Sequence, residues 1–218
     1  MRVNFIDRPG RAAFITASAA GAVLALVAAG CGSSTPSGHS GTSASATSPH
    51  FMHSHSRAMA ETAAFGPDCS MVPSSGMGSF HSMSMDPVVT AARHNPLLTT
   101  FAADVTMAGL TGDLNGMHAL TVFAPANSAF SGMASSDMTM LHNHAELVKI
   151  LKYHIVSGRV TPRELASGMT LKTLEGDTLK ASKMGSVYEI NNAHITCGNI
   201  QTANATIYIV SKVLIPMH

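Results

Sequence analysis

The chain has 218 residues, of which 45% are hydrophobic and only 11% are charged, and its formal net charge is +1. A protein that binds nucleic acid needs a basic face for the phosphates, and this composition supplies none, so nucleic acid is excluded as the expected partner. The chain has no Trp, three Tyr and eight Phe, which argues against a surface that stacks aromatic rings on sugars.

Residues 1–30 have the layout of a secretory signal peptide. Arg2, Arg8 and Arg11 form a basic start, and residues 12–30 are apolar except for two hydroxyl side chains. This layout predicts export, with removal of the segment. An uncleaved membrane anchor is the alternative, because the apolar stretch is long enough to span a bilayer.

The run from Val27 to Cys31 resembles the lipidation signal of bacterial lipoproteins, in which the Cys that becomes the first mature residue carries the lipid. The resemblance implies a lipid anchor, palmitate included, on Cys31 and an outward-facing protein at the cell membrane. Ala28 departs from the pattern, since such signals more often have Leu at this position. A secreted form without lipid is the alternative.

Residues 31–65 have the composition of a disordered tether. From Gly32 to about Ala64 the segment is rich in Ser, Thr, Gly, Ala, Pro and His and has almost no branched aliphatic residues. Such a segment cannot bury enough apolar area to offset the entropy lost on ordering, so we expect it to hold a folded domain away from the membrane. The domain itself is expected over residues 66–218, with its core at about 84–216.

Histidine and methionine are enriched in the tether and directly after it. Imidazole binds Cu, Zn and Ni, and thioether sulfur binds Cu(I), so the enrichment gives a hypothesis of metal binding in the cell envelope. The spacing is loose, and compositional drift in a tether is the alternative. The candidate ligands are His50, His53, His55, His81, Met83 and Met85.

Capping residues and hydrophobic spacing predict a series of helices in the first half of the domain. Asp86 and Pro87 are expected at the N-cap and first turn of a helix that Asn95-Pro96 interrupts. A further helix ends near Gly109, and a turn-rich loop is expected over 111–116. The other predicted helices cover 137–143, 145–153 and a segment opened by the capping box Thr161-Pro162-Arg163-Glu164.

The second half of the domain changes to the short alternating pattern of strands. In the last of these strands, Ile207 and Ile209 alternate with Tyr208 and Val210, which predicts a strand covered on both faces. Helices first and strands later indicate an α+β fold. The predicted strands after the helices cover 169–174, 178–183, 187–190, 193–196 and 205–214.

Two segments carry the strongest signal in the chain. The first, Thr121-Val-Phe-Ala-Pro-Ala-Asn-Ser-Ala-Phe130, predicts a buried strand ended by Pro125 and a helix, capped by Asn127 or Ser128, that places Phe130 against the core. The second, Leu151-Lys-Tyr-His-Ile-Val-Ser-Gly158, predicts the end of an amphipathic helix that runs into a strand around 154–156.

These segments resemble the two signature segments of the fasciclin domain, an extracellular adhesion and interaction module, and the resemblance covers about 84–216. The chain most resembles the mycobacterial surface and secreted fasciclin-domain antigens. The resemblance implies a single α+β domain without a cofactor, which binds a protein or glycan at the cell surface or in the extracellular matrix. The motif residues that it implies are Thr121, Val122, Phe123, Ala124, Pro125, Asn127, Phe130, Tyr153 and His154.

No catalytic motif accompanies the resemblance. The sequence has no Gly-rich phosphate loop, no Gly-x-Ser-x-Gly and no His-Glu-x-x-His. None of its 12 acidic residues forms a spaced pair with His or Ser on one expected face, because a new helix is predicted to begin between His142 and Glu146. We therefore expect a non-enzymatic protein with no small-molecule substrate. An envelope metal-binding lipoprotein and a structural component of the envelope are the alternatives.

The resemblance also bears on the cysteines and on the Tyr-His pair. With Cys31 lipidated, Cys69 and Cys197 remain as a pair in an oxidising compartment, and secreted fasciclin proteins staple the same two regions, which implies a disulfide. Two free thiols are the alternative. In animal relatives the region of Tyr153-His154 has been linked to integrin recognition; packing of the Tyr ring and a backbone hydrogen bond to the His are the structural alternative.

Overall fold

The structure is a computed structural model that describes residues 63–216. The predicted signal peptide, the proposed lipid site Cys31 and the candidate ligands His50, His53 and His55 lie outside the described residues. Over the described range, no helix is both long enough and apolar enough to cross a bilayer.

Short helices dominate the first part of the described chain. A 3₁₀ helix, Pro67–Met71, comes first, and the longest α-helix has only ten residues. The α-helices among residues 63–216 are α1 (Phe80–Met85), α2 (Val88–His94), α3 (Thr99–Met107), α4 (Thr111–Gly116), α5 (Asn127–Ser131), α6 (Ser135–His142), α7 (His144–Tyr153) and α8 (Pro162–Ala166).

The strands form one sheet in the order β2-β1-β7-β6-β5-β4-β3. Strand β1 runs parallel to β7, and the other neighbours are antiparallel. The two ends of this order also meet, because Val156 bridges Thr173 and the Leu174 N–H donates to the Ile155 carbonyl at 2.8 Å. The strands are β1 (Leu120–Pro125), β2 (Ile155–Ser157), β3 (Thr170–Lys172), β4 (Thr178–Met184), β5 (Val187–Ile190), β6 (Ala193–Gln201) and β7 (Ala205–Val210).

The buried core lies on both faces of β7. Ile207 and Ile209 pack on the side of helices α1–α4, whereas Tyr208 and Val210 face a second cluster formed with β3–β6. All six residues of β7 are buried, which confirms the prediction of a strand covered on both faces. The α+β fold expected from the sequence is therefore the fold observed.

Two local predictions for the chain before β1 are wrong. Asp86 is the C-cap residue of α1 rather than the N-cap of α2, and its carboxylate lies 3.3 Å from Nδ1 of His94. The expected loop over 111–116 is helix α4. Leu114 on this helix is 3% exposed, and the Asn115 side chain accepts a hydrogen bond from the Val89 N–H at 3.0 Å, so tertiary contacts stabilise a helix that its Gly-rich sequence does not favour.

The N-terminal segment is attached to β6, which also extends further than predicted, to Gln201. Phe65 and Gly198 exchange two backbone hydrogen bonds, at 3.1 and 2.7 Å. Gly66 has φ 118°, and a Cβ there would lie 2.3 Å from the Thr196 carbonyl oxygen, so only glycine fits this approach. Phe65, the last residue of the predicted tether, is therefore held in the fold by backbone pairing.

A disulfide joins the same two regions, between Cys69 and Cys197. Cys69 lies in the 3₁₀ helix, and Cys197 is fully buried on β6 beside the residue that pairs with Phe65. The covalent bond and the backbone pairing therefore act on one short stretch of β6.

We predict that reduction of this disulfide lowers the free energy of unfolding by about 4–5 kcal/mol, because the bond closes a loop of more than a hundred residues in the unfolded chain. The measurement is urea unfolding of the protein with and without reductant. The Cys69→Ala/Cys197→Ala variant is the control. Its free energy of unfolding should equal that of the reduced protein and should not change when reductant is added. An unfolding midpoint that does not move on reduction would contradict this assignment.

Candidate interaction surface

The strand of the first signature segment is internal. Every residue of β1 is buried, and the ring of Phe123 stacks on that of Tyr208 at 5.6 Å between centroids. The Thr121 hydroxyl donates to the Gly158 carbonyl at 2.6 Å and accepts from the Val160 N–H at 2.8 Å. Thr121 therefore joins the first signature segment to the end of the second.

Asn127 caps a different helix from the one expected. Its own helix, α5, begins at Asn127 with Ala126 as N-cap and without a side-chain cap. The Asn127 side chain instead accepts from the Thr100 N–H at 3.0 Å, in the first turn of α3, and donates to the Pro96 carbonyl at 2.9 Å. The cap prediction for α5 is wrong, because the amide reaches a helix that is distant in sequence. Phe130 lies in the core as expected, 8% exposed.

Tyr153 fixes the end of α7 to the sheet. Its side chain is 3% exposed, and its hydroxyl donates to the Thr178 carbonyl at 3.2 Å. The same hydroxyl accepts from the Asn191 side-chain amide at 3.1 Å. Burial raises the pKa of Tyr153, so the phenol stays neutral.

His154 connects α7 to the C-terminal segment of the domain. The side chain is fully buried, and its Nδ1 lies 2.8 Å from the Ile150 carbonyl, to which it donates. Its Nε2 accepts from the Leu214 N–H at 3.0 Å, which requires the neutral tautomer with the proton on Nδ1. Desolvation lowers the pKa of His154 to about 4. Both ring nitrogens are therefore engaged inside the protein.

Of the candidate metal ligands within the described residues, Met83 is separated from His81 and Met85. Met83 is fully buried, and its sulfur lies 3.5 Å from the side-chain amide of Asn95, so it is not accessible as a ligand beside His81 and Met85. His81 and Met85 are exposed. Among residues 63–216, no three His, Cys, Asp or Glu side chains are grouped so that they could hold a metal ion.

A cleft of about 890 Å³ lies beside the N-terminal segment. It opens where β5 and β6 separate, because these strands pair only between residues 189–190 and 193–194. Phe65 and Tyr188 form an aromatic wall, with ring centroids 4.6 Å apart. Other residues that line the cleft are Ala63, Ala64, Lys183, Val187, Ile195 and Thr196.

The cleft combines an apolar lining with a few polar groups. The ammonium of Lys183 lies 4.6 Å from the centre of the Tyr188 ring, a cation–π contact. At the rim, His194 Nδ1 lies 2.9 Å from the Glu189 carboxylate. The buried hydroxyl of Thr196 has no hydrogen-bond partner within the described part of the chain. The cleft thus has the features of a binding site for an apolar group with an attached polar or acidic one.

Sequence reasoning missed this surface. Its residues come from four separate segments, and Phe65 fell within the predicted tether. The only local signal is the aromatic side chain of Phe65 directly before Gly66-Pro67 at the end of a polar stretch.

Comparisons with known proteins agree with this fold. The family model of the fasciclin domain matches residues 96–216. The immunogenic protein MPB70 of Mycobacterium bovis is 37% identical over 164 residues, which cover 69% of this chain and 81% of that protein. The cell surface glycolipoprotein MPB83 of the same species is 36% identical over 213 residues, which cover 91% of this chain and 95% of that protein.

Among solved structures, a FAS1 domain pair from the insect cell adhesion molecule Fasciclin I aligns with a TM-score of 0.45 and 22% identity. The alignment covers 55% of this chain and 45% of that one. From the family model and the two curated relatives, the chain belongs to the fasciclin family.

The buried imidazole predicts a pH dependence of stability. The pKa of His154 is about 4 in the folded protein and 6.5 in the unfolded chain. The unfolded state therefore binds the proton first, and stability is lost as the pH falls from 6.5 towards 4, by about 3 kcal/mol in total. The measurement is the free energy of urea unfolding at several pH values, compared with His154→Gln.

Asp104 changes stability with pH in the opposite direction to His154. Its contribution is the same in wild type and His154→Gln, so it cancels when the two proteins are compared. Burial raises the pKa of Asp104 to about 6, so this carboxyl adds stability as the pH falls through 6 towards 3.8, equally in both proteins. The difference in stability between wild type and His154→Gln should shrink as the pH falls from 6.5. A difference that is constant with pH would contradict a buried neutral imidazole.

Proposed function

We propose that this protein is a non-enzymatic adhesion module on the outer side of the cell membrane, lipid-anchored or secreted. The observation that carries the proposal is the similarity to a cell surface glycolipoprotein over 91% of the chain. The part left outside that match is shorter than the segment before Cys31, so the matched span includes Cys31.

The proposed anchor is a lipid on Cys31, after removal of residues 1–30. The residues between Cys31 and Ala63 would then set how far the domain lies from the membrane. Since Ala63 and Ala64 line the cleft, the chain enters the domain at the edge of that cleft. The anchor and the candidate surface are therefore linked directly along the chain.

We further propose that the partner contacts the cleft and not the signature pair. Tyr153 and His154 are 3% and 0% exposed, and their polar atoms are bonded within the protein, so neither can contact a receptor without unfolding. The cleft offers an apolar wall and the ammonium of Lys183. These features favour a protein segment that presents an apolar side chain next to a carboxylate, whereas a glycan would use the aromatic wall alone.

The anchor is tested by the intact mass of the protein extracted from native membranes. We expect a chain that begins at Cys31 and carries a lipid-sized increment, and Cys31→Ala should lack the increment. A chain cleaved elsewhere and free of lipid would contradict the anchor and leave the secreted form.

The surface is tested by the binding of purified variants to host cells and to isolated cell wall. We expect Tyr188→Ala to weaken binding at least tenfold, as for a buried aromatic contact, and Lys183→Ala to weaken it less. Lys180→Ala is the matched control: it is an exposed lysine on the same strand outside the cleft, and its binding should not change.

Two further results separate the alternatives. Tyr153→Phe/His154→Gln, provided that its unfolding transition shows a folded protein, should bind as the wild type does. Equal binding by Tyr188→Ala and wild type would contradict the cleft as the contact surface. Stronger retention by cell wall than by host cells would favour a structural component of the envelope over a host adhesin.

A further inference from the structure

Two exposed methionines near the start of the domain lie at one surface cavity. Met77 and Met85 have 74% and 73% of their surface accessible, although methionine is normally a core residue. Both line one surface cavity of about 530 Å³ together with His81. Met107 and Met184 are also exposed, but only Met77 and Met85 among these four share this cavity with an imidazole.

Helix α1 places two of the three side chains on one face. His81 and Met85 are four residues apart on this helix, which brings their side chains next to each other. Met83 lies on the opposite face, fully buried against Asn95, and fixes the orientation of the helix. The exposed face of α1 therefore presents an imidazole and a thioether from a well-anchored backbone.

The turn before α1 places Met77 at the same cavity. The Ser79 N–H donates to the Gly76 carbonyl at 3.2 Å, and Gly78 has the positive φ of 87° that a tight turn of this kind requires. A Cβ on Gly78 would lie 2.2 Å from the His94 carbonyl oxygen, so the turn is pressed against the end of α2. The backbone at Met77 is therefore held in place.

The chemistry of the three side chains favours a soft monovalent ion. Thioether sulfur selects Cu(I), and imidazole also binds copper, whereas Zn(II) sites usually include thiolate, carboxylate or further imidazole ligands. Asp86 also lines the cavity, but its carboxylate lies 3.3 Å from Nδ1 of His94 and interacts with that ring. We propose that Met77, His81 and Met85 bind one Cu(I) ion, a property independent of the adhesion proposed above.

The proposal is tested by anaerobic Cu(I) titration of the full mature chain against a chromophoric Cu(I) chelator. We expect the affinity of the Met77→Leu/Met85→Leu variant to fall at least tenfold. The matched control is Met107→Leu/Met184→Leu, which removes two other exposed methionines, 65% and 72% accessible, that do not line this cavity. Leucine conserves the side-chain volume, so both variants should keep the unfolding transition of the wild type.

A second readout separates this site from the histidines of the preceding segment. Ag(I), a redox-inert substitute for Cu(I), should shift the ¹³C-methyl NMR signals of Met77 and Met85 and leave those of Met107 and Met184 unchanged. His81→Asn should reduce the two shifts. A fall in affinity of less than tenfold, an equal fall in the control variant, or equal shifts of all four methyl groups would overturn the proposal.

Discussion

The attachment of the N-terminal segment to β6 is the interaction on which the described surface depends. Phe65 and Gly198 pair through two backbone hydrogen bonds, beside the bond from Cys69 to Cys197. A Cβ on Gly198 would lie 2.7 Å from the Phe65 ring, so the glycine makes room for that ring. Without this attachment the cleft would lose its Phe65 wall, and the chain would not enter the domain at the candidate binding surface.

The signature segments act inside the protein, where they fix the positions of strands and termini. Thr121 joins β1 to the segment after β2, and His154 holds the Leu214 backbone against α7. Arg159, just after the second segment, donates to the backbone oxygens of Thr202, Ala203 and Ala205 and so orders the turn between β6 and β7. These motif residues therefore act in the fold, and the surface that we propose for recognition lies outside the motif.

The sequence predicted those features that depend on contacts between residues close together in the chain. It failed where the contacts join distant residues. The strand at β1, the capping box at Thr161 and the two-sided burial of β7 follow from residues within one turn or one strand, and the structure has all three. Asn127 was misassigned because its cap partner, Thr100, lies 27 residues away. Met83 was grouped with its neighbours because α1 was not predicted, and without a helix the buried and exposed positions could not be separated. The role of Phe65 was missed because the residues before it have the composition of a disordered tether.

We propose that recognition takes place at the cleft between the N-terminal segment and strands β4–β6. This proposal is tested by amide hydrogen exchange of the oxidised domain, free and bound to the cell or cell-wall surface that retains it. We predict slower exchange on binding in residues 63–67 and 183–196, and no change in the exposed helix α6. Slower exchange confined to α6 and its flanking residues, with the cleft unchanged, would contradict the proposal.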